Sequence, residues 1–356
     1  MKQLLMIGTY TEDILFGTGQ LFRGQGKGLS ICSFENGMIT EIETLPVRNP
    51  SFVCSHPDRR KLYCVNEMKE YQSRFGGGAT EISYGPDYSM RVERDFNTGG
   101  TDPCHIEIAP DRTFVAVSNF ASGAVTAFYL NAEGEMTGEQ DVFQHEGGSV
   151  HPVRQKGPHA HSAIFAPDRK RFYVPDLGMD CVCTYSWEDG KVRRIPEKDV
   201  RVTPGSGPRY GEFDKAGRNL YLINEIGSSI TRLSYRDGEL AVQETVSTLP
   251  SDFRGDNTCS DLHVSADGRF LYASNRGHDS IAVFDIADDG SLNLCGCVPC
   301  GGRIPRNFCV DPKGKYLLVG NQESDNIAVF EIGEDGNLTQ KTLIPWGSPV
   351  CIRFLG

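Results

Sequence analysis

His161, Arg209, Glu225, Arg276, Arg306 and Gln322 bring together an imidazole, three guanidiniums, a carboxylate and a carboxamide at regular intervals. His161 to Arg209 is 48 residues, Glu225 to Arg276 is 51 and Arg276 to Gln322 is 46. An imidazole or carboxylate within hydrogen-bond reach of a water can make that water nucleophilic. A guanidinium keeps its charge at any working pH, so it can stabilise an oxyanion or grip a phosphate through paired bonds. Glu225 and His161 are therefore the candidate bases, and Arg209 and Arg276 the candidate oxyanion donors. Arg306 or Arg154 could anchor an anionic group at the far end of a ligand. His159, Gln322 and His278 complete the expected ligand-contacting set; His159 and His161, two apart, share a face if they lie on a strand.

Residues so far apart can act together only if a repeated element carries them to one place. The chain contains such a repeat: an alternating apolar segment, a Pro-Asp or Asp-Gly turn, a strand ending in Asn or Asp, and a second turn. Those strand ends are Asn66, Asn119, Asp176, Asn224, Asn275 and Asn321, separated by 53, 57, 48, 51 and 46 residues, with Thr9 or Tyr10 as a seventh. Each is followed by a segment of period-two hydrophobicity, at 29–34, 79–84, 124–130, 181–187, 230–235, 281–286 and 327–332. Each is preceded by another, at 50–55, 103–109, 159–166, 208–213, 259–265, 305–310 and 349–354. The last of these lies at the C-terminus while its partner, 4–10, begins the chain. Four strands per repeat at this period predict an all-β, seven-bladed β-propeller of four-stranded antiparallel blades, its ring closed by pairing of the terminal strands, as a single domain over 1–356. Closure removes the edges that an open array would expose. No stretch of ten or more residues sustains a helical period.

Within this repeat the chemistry-bearing residues fall at two equivalent positions. Seven residues before the turn aspartate, or its equivalent, stand Ser51, Cys104, His161, Arg209, Ser260 and Arg306. One residue past the strand-ending Asn or Asp stand Glu67, Phe120, Leu177, Glu225, Arg276 and Gln322. A repeat built for packing alone would carry small or apolar residues there. The departure predicts that His161, Arg209, Glu225, Arg276, Arg306 and Gln322 converge on one mouth of the channel, in a polar, net-positive pocket for a small anionic molecule. The competing reading makes them solvated loop ends and inter-blade salt bridges. His56, His145 and His151 read as turn or surface histidines.

Composition limits the remaining classes. The formal charge of −11 opposes non-specific attraction to nucleic acid or an anionic membrane. The apolar run in Met1–Gly8 is too short for a signal peptide and no later run approaches a membrane span, so a cytoplasmic location is expected. Twelve cysteines are then expected as buried or inert thiols and not as a disulfide framework. Cys295-x-Cys297-x-x-Cys300 has a metal-site flavour but lacks a second half. Glu67 and Glu225 are too few for a carboxylate-held cation, so neither metal nor cofactor is expected. Insertions at 12–27 and 68–78 interrupt the repeat, as functional rims or mobile decorations. The run Gly24-x-Gly26-x-Gly28 lacks the strand-then-helix context of a phosphate cradle, and no Gly-x-Ser-x-Gly elbow is present for a serine acyl-enzyme.

The stretch Arg154-Gln155-Lys156-Gly157-Pro158-His159-Ala160-His161, with Phe165-Ala166-Pro167-Asp168 and Val174-Pro175-Asp176-Leu177-Gly178 after it, resembles the seven-bladed 6-phosphogluconolactonase family of bacteria. Gly207-Pro208-Arg209 with Ile223-Asn224-Glu225, the run Ser274–Phe284, Pro305-Arg306-Asn307-Phe308 and Ser348-Pro349-Val350 extend the resemblance over nearly the whole chain. It implies hydrolysis of a sugar lactone, 6-phosphogluconolactone first, with His161, Arg209, Glu225 and Arg276 in the active site. The same family includes carboxy-muconate lactonising enzymes, so another lactone or a muconate-type acid is the alternative. A non-enzymatic interaction propeller is a third reading, disfavoured by the missing WD40 signature and by only two tryptophans.

Overall fold

The computed structural model describes residues 2–16 and 19–355, so Gly17 and Thr18 of the first insertion lie outside the described residues. Seven antiparallel sheets follow one another along the chain. Blade one is shared by the termini: Pro349–Phe354 is its innermost strand, followed outward by Gln3–Thr9, Leu29–Glu35 and Met38–Leu45. Leu5 lies opposite Phe354 and Ile7 opposite Ile352, which is the expected closure. The innermost strands of blades two to seven are Val53–Ser55, Pro103–Ile108, Ile164–Phe165, Pro208–Phe213, Thr258–Val264 and Pro305–Val310. Blade four carries an extra short strand, Val200–Arg201, reached through a 3₁₀ turn at Pro196–Lys198.

Each blade is covered on both faces by its neighbours, so its central strands are buried throughout, as in Phe114–Asn119. Phe114, Phe172, Tyr185 and Trp187 fill the space between blades three and four, and Leu5, Ile7, Phe34, Leu318 and Val329 that between blades seven and one. Each such side chain contributes about 1.5–3 kcal/mol on burial.

Two local devices aim side chains at the channel mouth. The first is the asparagine that ends the second strand. Asn119 Nδ2 donates to Ala124 O and Thr126 Oγ1, both at 3.1 Å, and Asn224 Nδ2 to Ser229 Oγ and Thr231 Oγ1. The side chain thereby holds the turn into the third strand. The backbone N–H of the next residue is fixed as well, by a carbonyl just ahead of the innermost strand: Glu67 to Asn49 O, Phe120 to Asp102 O, Glu225 to Gly207 O and Gln322 to Ile304 O.

The second device is a β-bulge at the start of the innermost strand. Register skips one residue between Pro103 and His105, Pro208 and Tyr210, and Pro305 and Asn307. A bulge leaves one residue unpaired and re-aims its side chain, and here the skipped residues are Cys104, Arg209 and Arg306. Proline suits the position before it, since a strand's first residue can forgo its N–H.

Candidate active site

Where the second strands end, a cavity of about 180 Å³ is lined by His161, Glu225, Arg276, Arg154, Arg306 and Gln322 of the expected set. Arg209 lies just beneath, in the narrow channel space that it shares with His161 and Arg306. Glu225 is the centre of the arrangement. Arg154 Nη2 stands 2.5 Å from its Oε1, while Arg209 Nε at 3.0 Å and Arg276 Nη2 at 2.9 Å share its Oε2. Arg209 also donates to Ser260 O, and Arg276 to Cys259 O at 2.8 Å. Burial pushes the Glu225 carboxyl up, but Arg276, Arg154 and Arg209 outweigh it and hold the group well below the usual carboxylate range. Burial in turn pulls the Arg276 guanidinium down to about 10 against the pull of Glu225, so it stays charged at neutral pH. A carboxylate with both oxygens engaged by cations is a weak base, and its evident effect is to fix three guanidiniums in place.

His161 is buried, and burial together with Arg209 keeps its imidazole neutral, well below the ordinary histidine range. Its Nδ1 is 3.6 Å from the Cys104 sulfur. That thiol is itself pushed well up by burial and by Glu67, so the pair holds a thiol and a neutral imidazole, not a thiolate nucleophile. His159 does not line the cavity. It stacks on Phe120 at 4.7 Å between ring centroids while His161 meets the same ring edge-on, so the two histidines share a neighbour without forming a strand face. The segment before Ile164 is not a ladder because Pro175 offers the innermost strand a carbonyl, taken by His161 N, but no N–H. His278 is also outside the cavity, bonded to Ser280 Oγ at 2.6 Å and set against Phe253.

The opposite wall corrects the expectation of a net-positive pocket. Three arginines at its lining, Arg154, Arg276 and Arg306, are outnumbered by four carboxylates, Glu67, Asp102, Glu225 and Glu323. Charge is segregated instead. Blades four to six carry the guanidinium cluster, and blades two and three contribute Glu67 and Asp102. Tyr10 donates to Glu67 Oε2 at 2.8 Å, and Arg306, 3.7 Å from Glu67 Oε1, lies over the Tyr10 and Phe16 rings. The first insertion completes this wall with Ile14, Leu15 and Phe16, from a hairpin pairing Ile14–Leu15 with Leu21–Phe22. Its glycines permit that packing: a Cβ on Gly26 would fall 2.2 Å from Thr9 Oγ1. The second insertion forms a hairpin of Glu70–Tyr71 with Arg74–Phe75. Asp102 escaped the sequence reading because it stands before the repeat positions that were aligned.

Two further expectations need correction. His145 is not a surface histidine; it is buried between Asp176 Oδ2 at 2.7 Å and Tyr185 OH at 2.6 Å, and His56 is buried too. A neighbouring blade covers His145, through Asp176 and Tyr185 of blade four. All twelve cysteines are unpaired, ten of them buried. Cys295, Cys297 and Cys300 bond to three different carbonyls. Among the described residues, the one group with metal-ligand spacing is Cys181, Cys183 and Asp199, away from the cavity, and Arg194 already clamps Asp199. No described helix is long and apolar enough to cross a membrane.

Residues 4–354 match the family described as lactonase, 7-bladed β-propeller. The chain belongs to that family. A 6-phosphogluconolactonase of Bacillus subtilis (strain 168) is 32% identical over 321 residues, covering 87% of this chain and 86% of that protein. A 6-phosphogluconolactonase of Formosa agariphila is 32% identical over 323 residues, 86% of each. Among solved structures, the periplasmic gluconolactonase of Pseudomonas aeruginosa superposes with a TM-score of 0.90 at 28% identity, covering 100% of this chain and 99% of that one. A candidate 6-phosphogluconolactonase of Bacteroides fragilis superposes equally well, at 29% identity, with 100% and 98% covered. Both solved structures thus match the whole length of this chain.

Proposed function

We propose that this lactonase hydrolyses a six-carbon sugar lactone, with 6-phosphogluconolactone as its substrate. The observation that carries the reading is the trio of guanidiniums fixed on Glu225, Arg154 and Arg276 at the cavity and Arg209 beneath it, beside a neutral His161. Water adds to the lactone carbonyl, and the oxyanion that forms is met by Arg276, with Arg209 behind it, donors that need no reorganisation at the moment of reaction. Glu225 holds them. His161, or a carboxylate of the cavity, takes the proton from water. Arg306, paired with Glu67 and not with Glu225 and backed by Tyr10 and Phe16, suits a phosphate. Relatives named 6-phosphogluconolactonase support the same substrate.

The test is hydrolysis of 6-phosphoglucono-1,5-lactone by pure, chelator-treated protein, with the spontaneous rate subtracted. A rate well above the buffer blank, exceeding that for glucono-1,5-lactone, is expected. A rate equal to the blank removes the proposal, and preference for the unphosphorylated lactone changes its substrate.

A further inference from the structure

Asp102 precedes the innermost strand of blade three, and its carboxylate lines the cavity beside Glu67. The side chain is 14% exposed, its nearest cation is Lys69 Nζ at 3.8 Å from Oδ2, and among the described residues neither oxygen accepts a hydrogen bond. The other central carboxylates are committed: Glu225 to three arginines, Glu67 to the Tyr10 hydroxyl and Arg306. The Asp102 carboxylate, with no protein donor on either oxygen, is the one that can take a water or a ligand from the cavity.

The repeat supplies an internal comparison. The residue before the proline that leads into the innermost strand takes a left-handed φ in several blades: Asn49 at 40°, Asp102 at 51°, Gly207 at 63°, Ile304 at 57° and Ser348 at 42°. The conformation therefore belongs to the turn, and residue type is what distinguishes Asp102. At this position Asn49 Oδ1 accepts from the backbone of Thr11 and Glu12, and Ser348 Oγ from that of Gln25, so both side chains secure the first insertion. Asp102 reaches the second insertion only through the long ion pair with Lys69 and accepts no hydrogen bond from it. Its backbone is nonetheless pinned on both sides, Asp102 N donating to Met68 O and Phe120 N to Asp102 O, each at 2.9 Å. A fixed backbone thus presents an uncommitted carboxylate to the cavity.

We propose that Asp102 is a catalytic residue of the lactone hydrolysis proposed above, on which this inference rests: it is the base that activates the attacking water. As the water oxygen bonds to the lactone carbonyl carbon, one water proton passes to the Asp102 carboxylate and the carbonyl electron pair moves onto oxygen, opposite Arg276. As the intermediate collapses, the bond to the ring oxygen breaks and Asp102 returns the proton to that oxygen, which leaves as the sugar hydroxyl. The product is the open-chain acid, and Asp102 is again ionised.

Its ionisation suits that exchange. Burial and the neighbouring Glu67 carboxylate, against the pull of Lys69, raise the Asp102 carboxyl to about 6. It is ionised at pH 7 yet far more basic than Glu225. The other charged groups lining the cavity are Arg154, Arg276, Arg306, Glu225 and Glu323, with His161 neutral.

The experiment measures kcat and KM from pH 5 to 8 for wild type, Asp102→Asn and Lys69→Met, with 6-phosphoglucono-1,5-lactone and blank subtraction. Asn tolerates the left-handed turn, and unchanged melting of D102N would show an intact fold. Wild type should lose kcat/KM below about pH 6. D102N should lose about 10²–10⁴-fold in kcat with little change in KM, and its remaining activity should lack that acid limb. K69M should keep the limb but move it to higher pH, because the cation favouring the charged carboxylate is gone; a merely structural aspartate would not respond so. A D102N protein within threefold of an active wild type, or an acid limb that survives in D102N and disappears in Glu323→Gln, overturns this inference and leaves the lactonase reading standing. A wild type no faster than the blank overturns both.

Discussion

Arg154 Nη2 and Glu225 Oε1, 71 residues apart in sequence, meet at 2.5 Å across the channel mouth. The contact ties the loop between blades three and four to the turn of blade five. That loop is organised locally: His151 Nδ1 accepts from Val153 N and Arg154 N, and Gln155 bonds back to His151 N. Arg154 is thus delivered to the carboxylate that also holds Arg209 and Arg276.

Removing the charge of Glu225 should therefore act on the arginines. In Glu225→Gln the three guanidiniums lose their shared anion, and a buried pair broken on one side costs about 3–5 kcal/mol. Turnover should fall about 10²–10³-fold as the oxyanion donors lose their placement. The diagnostic is pH: the loss should be uniform from pH 5 to 8. A loss that takes the form of a vanished acid limb would instead make Glu225 the base.

Arg306 and Arg276 should separate by kinetics. Arg306→Ala should raise KM for 6-phosphoglucono-1,5-lactone about tenfold or more while leaving KM for glucono-1,5-lactone nearly unchanged, as removal of a phosphate contact requires. Arg276→Ala should lower kcat for both lactones, by about 2.7–4 kcal/mol of barrier if it is one oxyanion donor. Equal effects of Arg306→Ala on the two lactones would show that it does not read the phosphate.

The periodic parts of this architecture were open to a sequence reading because they obey two simple rules. Strand alternation marks each blade, and the terminal asparagine caps the turn wherever the repeat recurs, so Glu225, Arg276 and Gln322 could be placed one residue beyond it. The bulged Arg209 and Arg306 could be aligned too, since the same one-residue bulge recurs at this place in blades three, five and seven. Asp102 and the Ile14–Phe16 wall could not. The first precedes the aligned positions, and the second sits in an insertion with no counterpart in other blades. The net charge of the pocket is hidden in part for the same reason, since Asp102 and Glu323 lie off the aligned positions, and the burial of His145 depends on a partner blade.

The closure predicts a truncation phenotype. Pro349–Phe354 supplies the innermost strand of blade one, and Val350, Cys351 and Ile352 are buried. Deleting residues 349–356 removes an isoleucine alone worth about 2–5 kcal/mol in a core and leaves Gln3–Thr9 as a bare edge. The truncated protein should aggregate, or melt about 10 °C or more below wild type in calorimetry. Unchanged solubility and melting would contradict the pairing of the termini.

A last prediction concerns His263, further along the innermost strand of blade six. Its Nδ1 lies 2.9 Å from Glu212 Oε2 and its Nε2 3.5 Å from Asp261 Oδ2. Burial works against the imidazolium, but Asp261 and Glu212 outweigh it and raise the group to about 10. The unfolded value is near 6.5, so the folded state binds the proton more tightly. This stabilisation is fully present below about pH 6.5 and is lost as pH rises towards 10. Asp261 also accepts from Asn307 Nδ2 and Phe308 N, which fixes it in position whatever the state of the imidazole. His263→Asn should therefore cost about 3 kcal/mol near pH 6, where it leaves two carboxylates without their shared cation. The difference from wild type should shrink steadily between pH 7 and 10. Urea unfolding of both proteins across that range measures it, and a difference independent of pH would show that His263 is neutral in the folded ring.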